Sequence, residues 1–212
     1  MCYRLRLVLI ALLVVVALPL APGGPLQVRP ALAGVAVFSN SAPFSVPPRS
    51  GSGVETSSSQ ITVTGLTGRV TKVVLEVHGF TADAPRMIAL DLSAPGVPGP
   101  VFVKFANTSA DEPVSNVWLG FADAAAATIP ADQPLASGLY RPTPFIDGPG
   151  NVLARFAGRD PNGVWTLAMT NFSDLVGASV NFGWSLKIWT TDDANPTTMT
   201  SNASGGFANG NP

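Results

Sequence analysis

The chain has 212 residues, of which 46% are hydrophobic and 12% are charged, and its formal net charge is −1. Its single cysteine, Cys2, excludes an internal disulfide framework, and its single histidine, His78, excludes a zinc site of ordinary composition. Because nucleic-acid binding requires a basic footprint, this charge balance also argues against a nucleic-acid partner.

The first 33 residues read as a secretory signal peptide. Two arginines precede an almost wholly apolar run over residues 7–20, and a Pro- and Gly-containing stretch that ends in Ala31-Leu32-Ala33 supplies a small-residue cleavage site. The run is shorter than the ~20 residues of a membrane-spanning helix, and Pro19 interrupts it, which favours cleavage over anchoring. Cleavage removes Cys2 and leaves nine basic against 13 acidic residues, a net charge of −4. We therefore expect a secreted, extracellular protein without membrane insertion after cleavage.

After Ala33 the pattern predicts short strands separated by loops. Residues 34–59 are rich in Ser, Pro and Gly and read as an extended arm, whose Val37–Phe38 end pairs as a first strand. The segment 124–127 is the one candidate for a helical turn. Residues 191–212 are polar and read as a disordered tail. Hydrophobic alternation places the remaining strands of one domain at 60–64, 69–80, 87–92, 101–105, 116–121, 151–156, 163–170 and 179–190.

The last two predicted strands carry the clearest signal. The turn residues Pro161-Asn162-Gly163 lead into a strand in which Trp165, Leu167 and Met169 share one face. The final strand places an apolar stripe on one face: Val180, Phe182, Trp184, Leu186 and Ile188. Period-two patterning without an amphipathic helix predicts an all-β sandwich or barrel, with a core tryptophan in each of these two strands.

Several segments, taken in order, resemble the P domain, or Homo B domain, of proprotein convertases in its bacterial secreted form. The match runs from about residue 36 to 190. It is most specific in Asn162-Gly-Val-Trp-Thr-Leu167 followed by Gly183-Trp-Ser-Leu186, and it includes Val73-Val-Leu-Glu-Val-His-Gly-Phe80. The resemblance implies a jelly-roll β-sandwich of about eight antiparallel strands over residues 60–190. It also implies a position beside a subtilisin-like catalytic domain, which a P domain packs against and stabilises.

The chain departs from the family pattern at two points. The region before residue 36 reads as a signal peptide and not as a protease. Bacterial members carry a histidine and an acidic cluster before the strand that ends near Pro95, but here Ala82 stands at the histidine position. Arg86, Met87 and Ala89 stand where aspartates are usual. Whatever those acids hold in relatives is therefore not carried over to this chain.

Catalytic interpretations of the sequence are weak. His78 lies on a predicted strand and no Gly-x-Ser-x-Gly motif accompanies it, so a strand-face histidine is favoured over a serine-protease base. Glu76 and Asp91 form a glycosidase pair only if strand pairing brings them together, and solvated strand positions are the simpler interpretation. Asp91, between Leu90 and Leu92, should face outward. We expect no catalytic residues and no cofactor.

Two further sets of residues are candidates for binding. Calcium needs only oxygen ligands, and a structural ion has four candidate ligands in predicted loops, Asp123, Asp147, Asp160 and Asp174. Turns and caps are the more ordinary use of loop aspartates. Trp118 and Trp189 lie outside the core stripes, and a polysaccharide-binding surface would require them to be exposed and close together.

The sequence therefore predicts a secreted, non-enzymatic P-domain-like module that binds or stabilises another extracellular protein. The preferred partner is a subtilisin-like serine protease. The alternative is a structural or adhesive extracellular module that recognises polysaccharide or matrix. A third hypothesis, that the chain is itself a hydrolase, would require a carboxylate mechanism.

Overall fold

The computed structural model describes residues 35–106, 109–143 and 153–191. The predicted signal peptide and the tail beyond residue 191 lie outside the described residues, as does Asp147. Within the described ranges, no helix is long and apolar enough to cross a membrane.

Two β-sheets account for nearly all regular structure in the described ranges. The larger sheet contains β1 Ala36–Asn40, β2 Phe44–Val46, β4 Val70–Ala82, β7 Val114–Phe121, β8 Ala127–Thr128, β9 Gly138–Arg141, β11 Ala178–Val180 and β12 Trp184–Thr190. The smaller sheet contains β3 Glu55–Val63, β5 Ile88–Ser93, β6 Val101–Lys104 and β10 Gly163–Asn171. The predicted all-β class is confirmed.

The strand order is β1-β12-β4-β7-β9-β8 in the larger sheet, with β11 pairing both β2 and β4, and β3-β10-β5-β6 in the smaller sheet. The described residues form 12 strands, more than the eight or so predicted. The pairing is antiparallel except that β9 runs parallel to both β7 and β8. Residues 36–59, read from the sequence as an arm, contribute β1, β2 and the first half of β3 to the sheets.

The two sheets share one hydrophobic core. Alternating residues of β4 and β12 on one side, and of β5 and β10 on the other, belong to a single cluster of buried side chains. Trp165 and Trp184 are each only 1% exposed, which confirms that both are core residues. Phe156 packs against Trp165 with ring centroids 4.9 Å apart. This apolar burial is the main favourable term in the stability of such a fold.

Local predictions were wrong in two loop regions. The expected helical turn at 124–127 is not formed, because Asp123 and Ala124 lie in a turn and Ala127 begins β8. The expected strand at 151–156 contains instead a 3-10 helix, Leu153–Phe156, which buries Leu153 and Phe156 on one side. The Asp123 carboxylate accepts hydrogen bonds from the backbone N–H groups of Leu153 and Ala154 at 3.0 and 2.7 Å. It thereby provides acceptors for two N–H groups at the start of this helix, which have no partner within the helix.

The strand predicted over 179–190 is interrupted at residues 181–183. Gly183 has φ 74°, and a Cβ there would collide with the carbonyl oxygen of Asn40 on the neighbouring strand. This close approach separates β11 from β12 and turns Phe182 out of the apolar stripe. Phe182 is 52% exposed, so its predicted core position is wrong.

Candidate functional site

The outer face of the larger sheet, turned away from the shared core, carries the richest set of chemical groups. Core residues of β4 and β12 alternate with residues that point outward. The outward positions pair across the strands in a fixed register, Ser185 opposite Glu76, Lys187 opposite Val74 and Trp189 opposite Lys72. The result is a surface on which residues distant in sequence become neighbours.

His78, Ser185, Glu76 and Lys187 form one hydrogen-bonded network on this face. The Ser185 hydroxyl donates to Glu76 Oε2 at 3.2 Å, and Lys187 Nζ donates to Glu76 Oε1 at 2.7 Å. His78 Nε2 lies 3.1 Å from Ser185 Oγ. The tautomer of the imidazole sets which of these two atoms donates to the other. Burial lowers the pKa of His78, an effect opposed by Glu76 and reinforced by Lys187.

The order of these groups differs from that of a nucleophilic triad. In a triad the histidine stands between nucleophile and acid and accepts the nucleophile's proton. Here Ser185 stands between His78 and Glu76 and is within hydrogen-bond distance of both, so the acid contacts the serine and not the histidine. Ser185 is also only 6% exposed. The network therefore links β4 to β12 and does not have the order of a catalytic triad.

An aromatic patch, defined here as Phe182, Trp118 and Leu139, lies across the same face. Phe182 is 52% and Leu139 44% exposed, and Trp118 is half-buried. The Phe182 ring covers Gly79, where an added Cβ would be 2.5 Å from a ring carbon. Trp118 and Leu139 cover Gly120 in the same way, at 2.8 Å each. Two glycines thus let the side chains of the patch lie directly on the backbone of the sheet.

Side-chain amides frame the patch on one side. Asn181 Nδ2 donates to Asn116 Oδ1 at 2.8 Å and to Thr81 Oγ1 at 3.1 Å. The backbone N–H of Asn116 donates to the same Thr81 hydroxyl at 2.9 Å. Asn116 has φ 54° and is the only non-glycine residue in the described ranges with a positive φ. Asparagine tolerates this conformation better than most residues, and the amide pair fixes it.

The two tryptophans predicted to form a platform share this face but are not close. Trp189 lies opposite Lys72, whereas Trp118 precedes Leu119, which pairs with Val77. Five or more residues of β4 separate them, about 17 Å at the usual strand rise. Both indoles are half-buried. Trp189 packs against a small apolar cluster of Val74, Ala122 and Ala125. A joint stacking platform is therefore not formed.

The candidate carboxylates are not brought together. Glu76 is in the larger sheet and Asp91 is in the smaller one, so strand pairing does not join them. Asp123 caps the 3-10 helix, Asp160 accepts from the backbone N–H of Asn162, and Asp174 forms an ion pair with Arg49 at 3.8 Å. In the described part of the chain, no group of three or more His, Cys, Asp or Glu side chains is arranged to hold a metal ion.

Asp91 was expected to be a solvated strand position, and this is wrong. It alternates with Leu90 and Leu92 of the core and so faces away from it, but it is only 8% exposed. Its neighbours across the smaller sheet are Ala168 and Phe102, which offer no charge. Burial raises the pKa of Asp91 to about 6. Glu76 is also poorly solvated, since its side chain is 15% exposed and paired with Lys187.

The sequence did not predict that Lys104 is fully buried. Lys104 is 0% exposed, and its Nζ donates to the carbonyl oxygens of Pro85 and Ile88 at 2.7 Å each. Burial lowers its pKa to about 7. A register irregularity between β5 and β6 places Lys104 opposite Leu90, a core residue. No local pattern at Val101–Lys104 predicts that irregularity. The ammonium group is covered by protein and is not accessible to solvent.

The residues behind the P-domain resemblance occupy framework positions. Trp165 Nε1 donates to the carbonyl of Pro161 at 2.8 Å, and Trp184 Nε1 donates to Ser59 Oγ at 2.9 Å, which joins the two sheets. Both tryptophans of the motif therefore have structural roles in the described part of the chain. Comparison with models of known protein families gives no match, and comparison with curated proteins gives none either.

Proposed function

We propose that this chain is a secreted, non-catalytic P-domain-like module with a jelly-roll strand arrangement. It binds and stabilises another extracellular protein, and the partner is a subtilisin-like serine protease. The docking surface is the aromatic patch of Phe182, Trp118 and Leu139 on the outer face of the larger sheet. The partner class comes from the resemblance of residues 36–190 to P domains, and the surface comes from the geometry of that face.

The exposed aromatic patch is the observation that carries the proposal. Phe182 is more than half exposed although its neighbours in the final two strands are buried. Its ring and that of Trp118 are supported by glycine backbone, so neither side chain has far to move on binding. Burying an exposed phenylalanine or leucine contributes about 1.5–3 kcal/mol. Aromatic anchors on a pre-formed surface are typical of protein-binding hot spots.

The polar surroundings of the patch favour binding over catalysis. Between the two flanks of the patch, Ser185 is hydrogen-bonded to both His78 and Glu76, so the groups that would do chemistry are engaged with one another. Because these polar groups are satisfied by one another, a partner can cover them without leaving a donor or acceptor unpaired. A partner surface is therefore a better fit to this face than a small reactive substrate.

A defined pull-down tests the proposal. The secreted chain is used as bait against the secreted fraction of the source organism, and the proposal requires recovery of a subtilisin-like protease identified by mass spectrometry. Purified protease should then show a higher melting temperature when the chain is added. Phe182→Ser should weaken the complex by about tenfold or more. Val54→Ser is the matched control, because Val54 is 51% exposed and lies outside the patch.

The outcomes separate the hypotheses. Loss of binding with Phe182→Ser but not with Val54→Ser supports the patch as the docking surface. Recovery of glycan or surface polymer without any protease would overturn the protein-partner proposal and favour the adhesive alternative. Protease binding that neither substitution affects would retain the partner and reject the patch.

A further inference from the structure

The end of the larger sheet that holds Trp189 carries a concentration of positive charge. We call Arg69, Lys72 and Arg159 the basic end. Arg69 immediately precedes β4 and Lys72 lies within it, while Arg159 is joined to β4 by the hydrogen bond from the backbone N–H of Val70 to its carbonyl oxygen at 2.9 Å. All three side chains are exposed. Arg69 and Lys72 therefore lie within two residues of Val70 in the chain, and the backbone of Arg159 is hydrogen-bonded to that of Val70.

The charge of the basic end is poorly compensated. Among the described residues, Arg49 forms an ion pair with Asp174 and Lys187 forms one with Glu76, and neither ion pair involves the basic end. Asp160 is the carboxylate nearest in the chain. Its pKa is lowered first by hydrogen bonds from Asn162 and only last by the charge of Arg69, so its main partner is the turn and not the arginine. Positive potential is thus left facing solvent on a protein whose net charge after signal cleavage is −4.

Trp189 adds a half-buried indole beside these cations. Lys72 Nζ lies over its ring, 4.5 Å from the centroid, and the indole packs against Val74, Ala122 and Ala125. The part of the indole left accessible offers apolar contact to a sugar, while carboxylate substituents of the sugar pair with neighbouring cations, bidentately in the case of arginine.

We propose that the basic end and Trp189 form a binding site for an acidic polysaccharide of the polyuronate type. The cations are spread along two loops and the first residues of β4, which suits a chain with repeated carboxylates better than a single small anion. Three cations on a protein of net negative charge are too few for the dense phosphate backbone of a nucleic acid. The acidic remainder of the molecule repels a polyanion and so directs it to this one end. This site is separate from the aromatic patch and does not depend on the proposed protein partner.

Polygalacturonate is the probe, and its fully methyl-esterified form is the neutral control of equal chain length. Binding to the full chain is measured by calorimetry at low and at moderate salt. We expect binding to the acidic polymer alone, and weakening as salt rises because exposed charges are screened over about 8–10 Å at physiological ionic strength. Equal affinity for the methyl ester, or tighter binding to single-stranded DNA than to polygalacturonate, would overturn the proposal.

Charge-matched variants locate the site. Arg69→Gln with Arg159→Gln should lower affinity by about tenfold or more. Arg49→Gln with Arg86→Gln changes the net charge equally but acts elsewhere, in the loop after β2 and in the 3-10 helix Pro85–Met87, and it should leave the affinity within about twofold. Trp189→Phe should retain more binding than Trp189→Ala, because a ring is kept. Equal losses in the two double variants would show a non-specific charge effect and reject the site.

One further variant separates this proposal from the protein-partner proposal. Phe182→Ser should leave polygalacturonate binding unchanged, so failure of the protein-partner proposal and failure of this one are distinguishable.

Discussion

The side-chain amide of Asn162 binds both backbone groups of Leu66. Asn162 Oδ1 accepts from the Leu66 N–H at 3.1 Å, and Nδ2 donates to the Leu66 carbonyl at 2.8 Å. Asp160 Oδ1 in turn accepts from the Asn162 backbone N–H at 2.9 Å and from its side chain at 3.0 Å. One asparagine thus ties the turn before β10 to the turn between β3 and β4, so the Asp-Pro-Asn-Gly motif works as a structural tie.

Removing this tie should destabilise the protein. Asn162→Ala leaves a half-buried backbone N–H and carbonyl of Leu66 without their partner, and we expect the free energy of unfolding to fall by about 1–3 kcal/mol. Asn162→Asp keeps the acceptor for the Leu66 N–H but loses the donor, so its loss should be intermediate. Urea denaturation measures both. Thr62→Ala, on an exposed position of β3, is the control, and an equal loss there would show that the tie contributes nothing.

Period-two alternation was enough to place the central strands and the core. This alternation predicts the buried positions of Trp165, Trp184 and the inward residues of β4. Successive side chains of a strand point to opposite faces, so apolar and polar residues alternate where one face is buried. The turn before β10 was also predicted, since Pro-Asn-Gly chemistry is local. Short strands such as β2 and β8 were missed because two or three residues within a Pro- and Ser-rich segment, or at the end of an alanine run, carry no period.

The features that define the outer face depend on contacts between distant residues. Phe182 fits the apolar stripe in every local respect and leaves it because Gly183 approaches Asn40 on another strand. Lys104 enters the core through a register irregularity between β5 and β6. The Ser185 network needs the pairing of β4 with β12. The candidate surface could be suspected from Trp118 and Trp189, but its composition could not be read from the sequence.

The close approach at Gly183 can be measured against a second glycine. Gly183 and Gly158 have φ 74° and 75°, so alanine is strained by a similar backbone conformation at either position. A Cβ at Gly158 meets nothing within 4 Å, whereas at Gly183 it meets the Asn40 backbone. We expect Gly158→Ala to cost about 1 kcal/mol and Gly183→Ala to cost about 3 kcal/mol or more. Equal shifts of the unfolding midpoint in denaturant would contradict the collision.

Asp91 should make the protein less stable as pH rises through weak acid. Its pKa is raised by burial to about 6 in the folded protein, above the value near 3.8 of an unperturbed aspartate. The folded state therefore holds this proton after the unfolded state has lost it, and stability declines between about pH 4 and pH 6. Allowing for partial solvation, the contribution is about 2 kcal/mol.

Asp91→Asn isolates that contribution. The difference in unfolding free energy between variant and parent should grow in favour of the variant from about pH 4 to pH 6 and then level off. Glu112→Gln, an exposed carboxyl, is the matched control and should give a flat difference. A flat difference for Asp91→Asn as well would show that the carboxyl is solvated in solution.

Lys104 acts with the opposite sign and in a different pH range. Burial lowers its pKa to about 7 in the folded protein, below the ordinary value of 10.5, so the unfolded state binds the proton more tightly. The full penalty is present below about pH 7, and stability should rise between about pH 7 and pH 10 as the unfolded lysine also loses its proton. The gain is at most about 4 kcal/mol, since the carbonyl oxygens of Pro85 and Ile88 stabilise the charged form.

Lys104→Met tests this reading, because methionine fills much of the same volume without an ammonium group. The variant leaves two carbonyls without a donor, so its stability at neutral pH reflects two opposed effects and is not diagnostic by itself. The pH profile is diagnostic. The parent should gain stability relative to the variant from pH 7 to pH 10, whereas Lys72→Met, on an exposed lysine, should show no such relative gain. Parallel profiles for parent and Lys104→Met would mean that the buried amine keeps its ordinary pKa, with the two carbonyls fully offsetting burial.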